Sequence, residues 1–182
     1  MAFTPAGARQ VNSTLSEMLA QEFSPENMAS NMKFFTEKWA SGELTEKEAQ
    51  QAPKQYEKHL QVIVPKLAFS VRALAFGISL HDGLIQNIQK RGNNLEITII
   101  VGDLQSGYQT LKLTYFSGKL LASKEIQKIL KKKSAVEIIY DEVDLGTKTG
   151  FIHRILTSAL RHFEIQFSDL SISMKPRKNG RK

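Results

Sequence analysis

The sequence predicts an α+β fold in which N-terminal helices pack on a C-terminal antiparallel sheet of about six strands. Apolar residues recur at helical spacing up to Gly77. From Leu84 onward they alternate with polar residues, as in strands that bury one face. The order of helices before strands favours this class over a parallel α/β sheet.

Residues 1–31 are predicted to form a helical N-terminal arm. One helical face of this arm is apolar, with the spacing i, i+3, i+4 and i+8, and consists of Leu15, Met18, Leu19 and Phe23. The face would be buried either on the same chain or on another one, and the sequence leaves both alternatives open. A second helix is predicted for Met28–Ala40, where Phe35 and Trp39 would share a face.

The next helices are predicted from a cap and a proline. Thr45 and Glu48 have the spacing of a capping box, which begins a helix whose apolar period continues through Gln50–Val64. Pro65 interrupts that helix. The stretch Pro65–Phe76 is the most apolar helix, and we expect it to pack on the sheet.

The strands follow from alternation and turn residues. Arg91–Asn94 contains Gly92 and predicts a hairpin turn. Six strands are expected, at residues 84–89, 95–101, 110–115, 135–142, 151–156 and 163–167, with a short helix at 123–132. Residues 32–173 would form one α+β domain, and residues 174–182 a disordered basic tail.

The net charge of +7 is concentrated in two short segments. Lys119–Lys133 carries six lysines and one acid, and Met174–Lys182 carries five basic residues. Without these segments the chain has 14 basic and 17 acidic residues. The body is therefore mildly acidic, which argues against a basic face that extends over the whole fold.

The chain contains no cysteine, which excludes disulfides, Cys-ligated zinc, iron–sulfur clusters and thiol nucleophiles. The N-terminus shows no signal-peptide pattern. The most apolar stretch, Val62–Leu80, is broken by Pro65, Lys66 and Arg72, so it is interpreted as core helix. We expect a cytoplasmic protein that does not span a membrane and that has no cofactor and no metal site.

His81 and Asp82 are the best catalytic candidates, because a histidine beside an aspartate can bind metal or orient a base. Here the pair precedes Gly83 and opens a strand. The favoured interpretation is therefore a turn in which His81 bonds to backbone. A hydrolase centred on His81 and Asp82 is kept as an alternative.

The segment Tyr140–Asp144 clusters three carboxylates. Asp141 and Glu142 would lie on opposite faces of a strand, whereas Glu142 and Asp144 would share one. The favoured interpretation is a solvated strand end. Two further pairs, His153–Arg154 and Arg161–His162, are interpreted as rim positions that matter only if they face one cleft.

Two sets of residues are candidates for binding. The basic segment could contact phosphates without base specificity, through Lys124, Lys128, Lys131, Lys132 and Lys133. A solvated helix end explains the same lysines, and no aromatic residue interleaves with them to stack on bases. Trp39 is a candidate anchor for a protein partner, although aromatic residues of this kind more often belong to a core.

Five segments together resemble a family of small bacterial proteins that is known only as a domain of unknown function. They are residues 32–39 (MKFFTEKW), 79–83 (SLHDG), 138–142 (IIYDE), 151–156 (FIHRIL) and 164–170 (EIQFSDL). The resemblance covers roughly residues 32–172 and implies no activity. Small proteins of similar appearance also include immunity proteins that are found beside secreted toxins.

These observations lead to one leading hypothesis and two alternatives. The leading hypothesis is a non-enzymatic protein-binding module, in its narrower form an immunity protein that neutralises a bacterial toxin. The first alternative is a nucleic-acid-binding protein that uses Lys119–Lys133 and the tail. The second is the hydrolase centred on His81 and Asp82.

Overall fold

The computed structural model describes residues 31–131, 136–146 and 150–177 of the 182-residue chain. The predicted arm up to residue 30, Lys132, Lys133 and the last five residues lie outside this part. The described helices are α1 (Glu37–Ala40), α2 (Glu46–Ile63), α3 (Phe69–Gly77) and α4 (Lys124–Lys131), with a 3₁₀ turn at Val64–Lys66. The strands are β1 (Leu84–Arg91), β2 (Asn94–Asp103), β3 (Gly107–Phe116), β4 (Lys119–Leu121), β5 (Val136–Leu145), β6 (Phe151–Thr157), β7 (Arg161–Phe167) and β8 (Asp169–Pro176).

Helix α2 begins with the predicted capping box. The Thr45 side chain accepts the Glu48 backbone N–H, and the Glu48 carboxylate accepts the Thr45 backbone N–H at 3.0 Å. The Thr45 hydroxyl also donates to this carboxylate, and this bond, followed by the one from the backbone, lowers the pKa of Glu48. The helix ends at Ile63, and the chain passes through the 3₁₀ turn that contains Pro65, as the interruption predicted.

The eight strands form one antiparallel sheet with the order β4-β7-β6-β5-β1-β2-β3-β8. Strands β1, β2 and β3 form the predicted meander, and the hairpin pairs Arg91 with Asn94 around Gly92, whose φ is +58°. Strand β3 pairs with β8, whereas β4, which follows it directly, pairs with β7. β3 and β4 are thus the two halves of one bent strand, and β7 and β8 are the two halves of another. These two bent strands pair with each other on both sides of their bends.

The prediction of about six strands is wrong, because each of the two bends divides a strand and the sheet has eight. Ser117 and Gly118 separate β3 from β4, and Ser168 separates β7 from β8. A Cβ atom on Gly118 would stand 2.7 Å from the Leu95 Cβ and 2.8 Å from the Tyr115 carbonyl oxygen. Only glycine allows this close approach, so the bend between β3 and β4 depends on it.

The core lies between the inner face of the sheet and the helices. Ile97, Ile99, Leu111 and Leu113 are fully buried on the meander. Helix α3 adds Val71 and Leu74, and α4 adds Ile126. The prediction that the most apolar helix packs on the sheet is therefore confirmed for the inward side of α3.

The predicted helix over Met28–Ala40 is wrong for its described part, because only Glu37–Ala40 is helical. Residues 31–36 are irregular, and the backbone N–H groups of Lys33, Phe34 and Phe35 bond to the side chain of Glu142 instead. Thr36 then caps the short helix by accepting the Trp39 N–H at 3.2 Å.

The ends of the described region also differ from expectation. Strand β8 continues to Pro176, and its Met174 and Lys175 pair with Leu111 and Thr110 of β3. The first residues of the predicted disordered tail are thus part of the sheet. Within the described residues, no helix combines the length and the apolar composition that a membrane crossing needs.

Candidate functional site

A cluster of buried charges lies on the outer face of β5, β6 and β7. Glu142, Asp144, Arg154 and Glu164 are each at most 5% exposed, so the interpretation of Glu142 and Asp144 as a solvated strand end is wrong. Pairing places Glu142 opposite Arg154, and Arg154 opposite Glu164. Together with Lys33 these residues are called the Glu142 cluster below.

Glu142 binds the segment that precedes α1. Its Oε1 accepts the backbone N–H groups of Phe34 and Phe35 at 2.7 and 2.8 Å, and its Oε2 accepts that of Lys33 at 2.9 Å. A carboxylate that accepts three backbone N–H groups forms charge-assisted bonds that are stronger than neutral ones. Residues 31–36 are therefore anchored to the middle of β5.

Asp144 collects most of the remaining donors of the cluster. Lys33 Nζ donates to Oδ2, Arg154 Nη1 donates to the same oxygen at 3.1 Å, and His59 Nε2 lies 3.0 Å from Oδ1. Burial raises the pKa of Asp144, but the bonds from Lys33, the Leu145 N–H and Arg154 outweigh it and lower the pKa to about 2. The carboxyl group is therefore ionised at neutral pH.

Arg154 is the central cation of the cluster. Its Nε lies 3.3 Å from Glu164 Oε2, and its Nη1 lies 3.9 Å from Glu142 Oε2. Buried charges of this kind persist only when they are paired and hydrogen-bonded. The interpretation of His153 and Arg154 as rim positions is consequently wrong, because β6 lies between β5 and β7 and both side chains are buried.

On the inner face, Tyr115, His153 and Asp141 form a hydrogen-bonded chain. The Tyr115 hydroxyl lies 2.7 Å from His153 Nδ1, and His153 Nε2 lies 3.0 Å from Asp141 Oδ2. A carboxylate only accepts, so Nε2 carries the proton and Nδ1 accepts from the tyrosine. Burial and the negative charge of Asp141 raise the pKa of Tyr115, which keeps its hydroxyl a donor.

Within each of these two buried networks, the polar side chains bond to one another or to backbone groups. Tyr56 likewise accepts the Val143 N–H at 2.7 Å, and burial raises the pKa of its hydroxyl. Within the described residues, no group of three or more histidine, aspartate or glutamate side chains has an arrangement that could hold a metal ion. The arrangement suits anchoring of the chain better than chemistry on a ligand.

The structure gives His81 the backbone bond that the turn interpretation predicted. Its Nδ1 bonds to the Ile139 carbonyl oxygen, its Nε2 lies 3.5 Å from Asp82 Oδ1, and Asp82 has a φ of +60°. The ring also packs against Tyr140, with 4.9 Å between centroids. These contacts explain the pair as part of a turn, and the hydrolase hypothesis stays a prediction.

Trp39 is half-buried in an aromatic cluster beside α2. Its Nε1 donates to the Ala49 carbonyl at 2.9 Å, and its ring packs edge-on against Phe35 and Tyr140 at 5.2 and 4.6 Å. These contacts account for the residue as a packing element. Its role as a partner anchor stays a prediction.

The structure brings one lysine of the basic segment, Lys119, to the same cavity as Lys90 of β1. Helix α4 begins at Lys124 and ends at Lys131, with Lys128 exposed on it. Lys119 of β4 and Lys90 of β1 line one open cavity of about 640 Å³. Lys132 and Lys133 lie outside the described residues, and so does any contact they make.

A second cavity, of about 470 Å³, lies where the described chain begins at Asn31. His162 lines it, with Nδ1 3.2 Å from Glu37 Oε1 and with Arg161 3.7 Å from the other oxygen of Glu37. The buried Nε2 of His162 has no hydrogen-bond partner among the described residues.

Helix α3 exposes two phenylalanines on the side opposite its buried residues. Phe69 is 87% exposed and Phe76 57%, whereas Val71 and Leu74 are buried. Positions 69, 72, 73 and 76 share one helical face, which we call the α3 outer face. None of the sequence predictions included this face, although apolar residues on both sides of a helix are the signal that could have revealed it.

Charged residues of both signs flank α3, and the acidic one is Asp169 of β8, whose Oδ1 accepts the Ser70 hydroxyl at 3.0 Å. Arg72 is exposed on the α3 outer face, and Lys66 and Lys58 are exposed on the preceding turns. No acidic residue occurs from Lys58 to His81. Val62, on the last turn of α2, adds a side chain that is 74% exposed.

Comparison with known proteins identifies a family. The family model described as "Protein of unknown function (DUF4085)" matches residues 10–167, which is most of the chain. The chain belongs to the DUF4085 family. No curated protein and no solved structure matches it.

Membership of DUF4085 confirms the resemblance to a domain of unknown function. The match begins at residue 10, whereas the resemblance was expected to begin near residue 32. Most of the predicted arm is therefore part of what DUF4085 proteins share. The match carries no activity and no link to immunity proteins.

Proposed function

We propose that this DUF4085 protein is a binding module whose partner is a protein that presents an acidic amphipathic helix to the α3 outer face. The observation that carries the proposal is the exposure of Phe69 and Phe76 on one face of α3, which also carries exposed Arg72. Exposed apolar side chains that share one helical face can mark an interaction site, and aromatic residues and arginine are the usual anchors of interfaces.

The chemistry of the partner follows from the surface. Two phenylalanines seven residues apart suit a helix with apolar residues at i, i+3, i+4 and i+7. Arg72 on this face and Lys66 in the preceding turn, both exposed, favour acidic side chains beside that apolar stripe. Apolar contact would supply affinity, and the charges would supply orientation.

Site-specific photocrosslinking tests the proposal. A crosslinking phenylalanine analogue replaces Phe69 or Phe76 in the full chain, and the matched control carries it at Leu104, which is 90% exposed in the β2–β3 turn. We expect one protein to crosslink from positions 69 and 76 but not from 104, through a segment that is acidic and apolar at helical spacing.

Two results would contradict the proposal. One is equal crosslinking from position 104. The other is undiminished binding of the captured protein by a Phe69→Glu, Phe76→Glu double variant, since two added carboxylates should repel an acidic helix.

The narrower hypothesis, an immunity protein, predicts that the captured protein is a bacterial toxin. Co-expression of the chain with the product of a neighbouring gene tests it through growth protection. Neither protection nor co-purification would remove the narrower hypothesis, and the binding module would still face the crosslinking test.

A nucleic-acid-binding role is the second candidate, and the cavity shared by Lys90 and Lys119 supports it. Binding to phosphates would weaken steeply with salt. We expect Lys90→Gln, Lys119→Gln and Lys128→Gln together to weaken binding of a single-stranded oligonucleotide. Lys47→Gln and Lys54→Gln, at exposed positions of α2, are the matched control. Equal affinity in both variants would exclude this role.

A further inference from the structure

The open cavity on the inner side of the β1–β2 hairpin, called the hairpin cavity below, has an aliphatic floor. Its volume is about 640 Å³, and described residues of β1, β2, β4 and the adjacent turns line it. Strand pairing places Lys90 opposite the buried Leu95, and Ile88 lies two positions before Lys90 on the same face. Ile88 and Leu120 are half-buried and line the cavity together with Leu95. Three aliphatic side chains therefore form its inner surface.

The rim of the hairpin cavity is cationic. Lys90 and Lys119 line it and are both exposed, and no carboxylate of a described residue pairs with either of them. No aspartate or glutamate is among the described residues that line the cavity. On the opposite face of the same strands the charges are balanced, because Glu96 pairs with Arg91 at 2.9 Å and with Lys112 at 2.8 Å. The cavity therefore presents positive charge that no described carboxylate neutralises.

The bend that precedes Lys119 is fixed by its surroundings. Ser117 has a φ of +52°, and its backbone N–H donates to Asn94 Oδ1 at 3.3 Å. A positive φ at a residue other than glycine persists only where neighbouring structure holds it. At Gly118 the backbone approaches the floor so closely that a Cβ atom would stand 2.7 Å from the Leu95 Cβ. The start of β4 is thus held against the floor, and Lys119 follows directly from this contact.

We propose that the hairpin cavity binds a fatty acid, that is, a small anion with an unbranched aliphatic chain. The chain lies on the aliphatic floor, and the carboxylate bonds to Lys90 and Lys119. Cavities of roughly 300–1000 Å³ with an apolar lining and a few polar groups are typical of small-molecule sites. The described lining contains no aromatic side chain that could stack on a base, so the floor favours an aliphatic chain over a nucleotide. This site does not rest on the role proposed for the α3 outer face.

Calorimetric titration of the full chain with decanoate tests the site. Decanol, which lacks the charge, and acetate, which lacks the chain, are the matched ligands. We expect decanoate to saturate a single site, decanol to bind more weakly and acetate not to bind. From hexanoate to decanoate, the affinity should rise about threefold to fourfold for each methylene that leaves water. Decanol that binds as tightly as decanoate, or decanoate that does not saturate, would overturn the proposal.

A double variant, Lys90→Met with Lys119→Met, separates the anionic head from the aliphatic chain, because methionine keeps an unbranched apolar side chain. Its affinity for decanoate should fall about threefold to tenfold, towards that for decanol, while decanol binding stays unchanged. The matched control is Lys47→Met with Lys54→Met, at exposed positions of α2, which should bind decanoate as the unaltered chain does. Equal decanoate affinity in both variants would overturn the assignment of the two lysines.

Methyl NMR of the full chain locates the ligand. Decanoate should shift the methyl signals of Ile88, Leu95 and Leu120, whereas Leu104, which is 90% exposed in the β2–β3 turn, should not respond. Shifts of similar size at Leu104 would mean unspecific contact with apolar side chains and would overturn a site in the cavity.

Two further titrations separate this site from the functions proposed above. A Phe69→Ser, Phe76→Ser variant should bind decanoate unchanged, and loss of binding would place the chain on the α3 outer face and overturn the proposal. A single-stranded oligonucleotide should leave decanoate binding unchanged. If the oligonucleotide displaces decanoate, the two lysines serve phosphates, and the fatty-acid site is overturned in favour of the nucleic-acid-binding role.

Discussion

Two outward-facing regions of the domain differ in whether their side chains are buried or exposed. On β5, β6 and β7, the carboxylates and the arginine of the Glu142 cluster are buried, and the charges of the cluster bond to one another and to backbone N–H groups of residues 33–35. On α3, Phe69 and Phe76 are exposed among the described residues. The first region already holds a segment of chain, and the second has the chemistry to receive one. The difference separates an anchor, which serves stability, from a surface for which we propose a role in binding.

The largest expected effect comes from removing the central cation of the anchor. Arg154→Met leaves Glu142, Asp144 and Glu164 buried without it, and should lower the free energy of unfolding by about 3–5 kcal/mol. Urea denaturation measures this. The control is Arg91→Met, because Arg91 is 65% exposed beside Glu96 and should cost less than about 1 kcal/mol. Similar losses in both variants would contradict the assignment of the anchor.

A smaller effect is expected at the acceptor of the three backbone N–H groups. Glu142→Gln keeps the shape but removes the charge, and should cost about 2–3 kcal/mol. Hydrogen exchange of the Lys33, Phe34 and Phe35 amides should accelerate. Glu57→Gln, at an exposed position of α2, is the control. Unchanged exchange would mean that Glu142 does not hold this segment.

The dependence of stability on pH tests Asp144. Its pKa is lowered to about 2 from 3.8, so its ionised form favours folding. This contribution is complete above about pH 4 and is lost as the pH falls towards 2, and we expect it to be about 1–2 kcal/mol. Asp144→Asn should flatten the fall of unfolding free energy between pH 4 and 2. An unchanged slope would contradict the lowered pKa.

The smallest effect on stability is expected at the α3 outer face. Phe69→Ser with Phe76→Ser in the full chain should lower the unfolding free energy by about 1 kcal/mol or less, because the described core does not enclose these side chains. The same variant should lose partner capture, whereas Leu104→Ser should keep it. Urea denaturation measures the first effect, and binding of the protein that crosslinking identified measures the second. A loss as large as that of Arg154→Met would contradict the separation of surface from anchor.

Local elements were predictable because local rules decide them. The capping box of Thr45 and Glu48 joins residues three positions apart, and the hairpin around Gly92 joins neighbours. Alternation placed Glu142 and Asp144 on one face of a strand, as the structure has them. Each of these features depends on spacing that a single stretch of sequence contains.

Burial of the charges was not predictable in this way. Lys33 meets Asp144 across 111 positions, and Phe35 meets Glu142 across 107. Taken without the rest of the chain, residues 140–144 have the pattern of a polar strand end. The placement of β5 beside β6, and of residues 31–36 over the outer face, is what encloses their charges.

Composition and short-range spacing were enough to predict the α+β class, the capping box, the meander and the exclusion of cysteine chemistry. The burial of the carboxylates and the arginine of the Glu142 cluster became visible in the folded domain alone. The same holds for the bends at Gly118 and Ser168, which make eight strands from six. The physical reason is that burial and strand pairing depend on segments distant in the chain, whose contacts exist only once the sheet has formed.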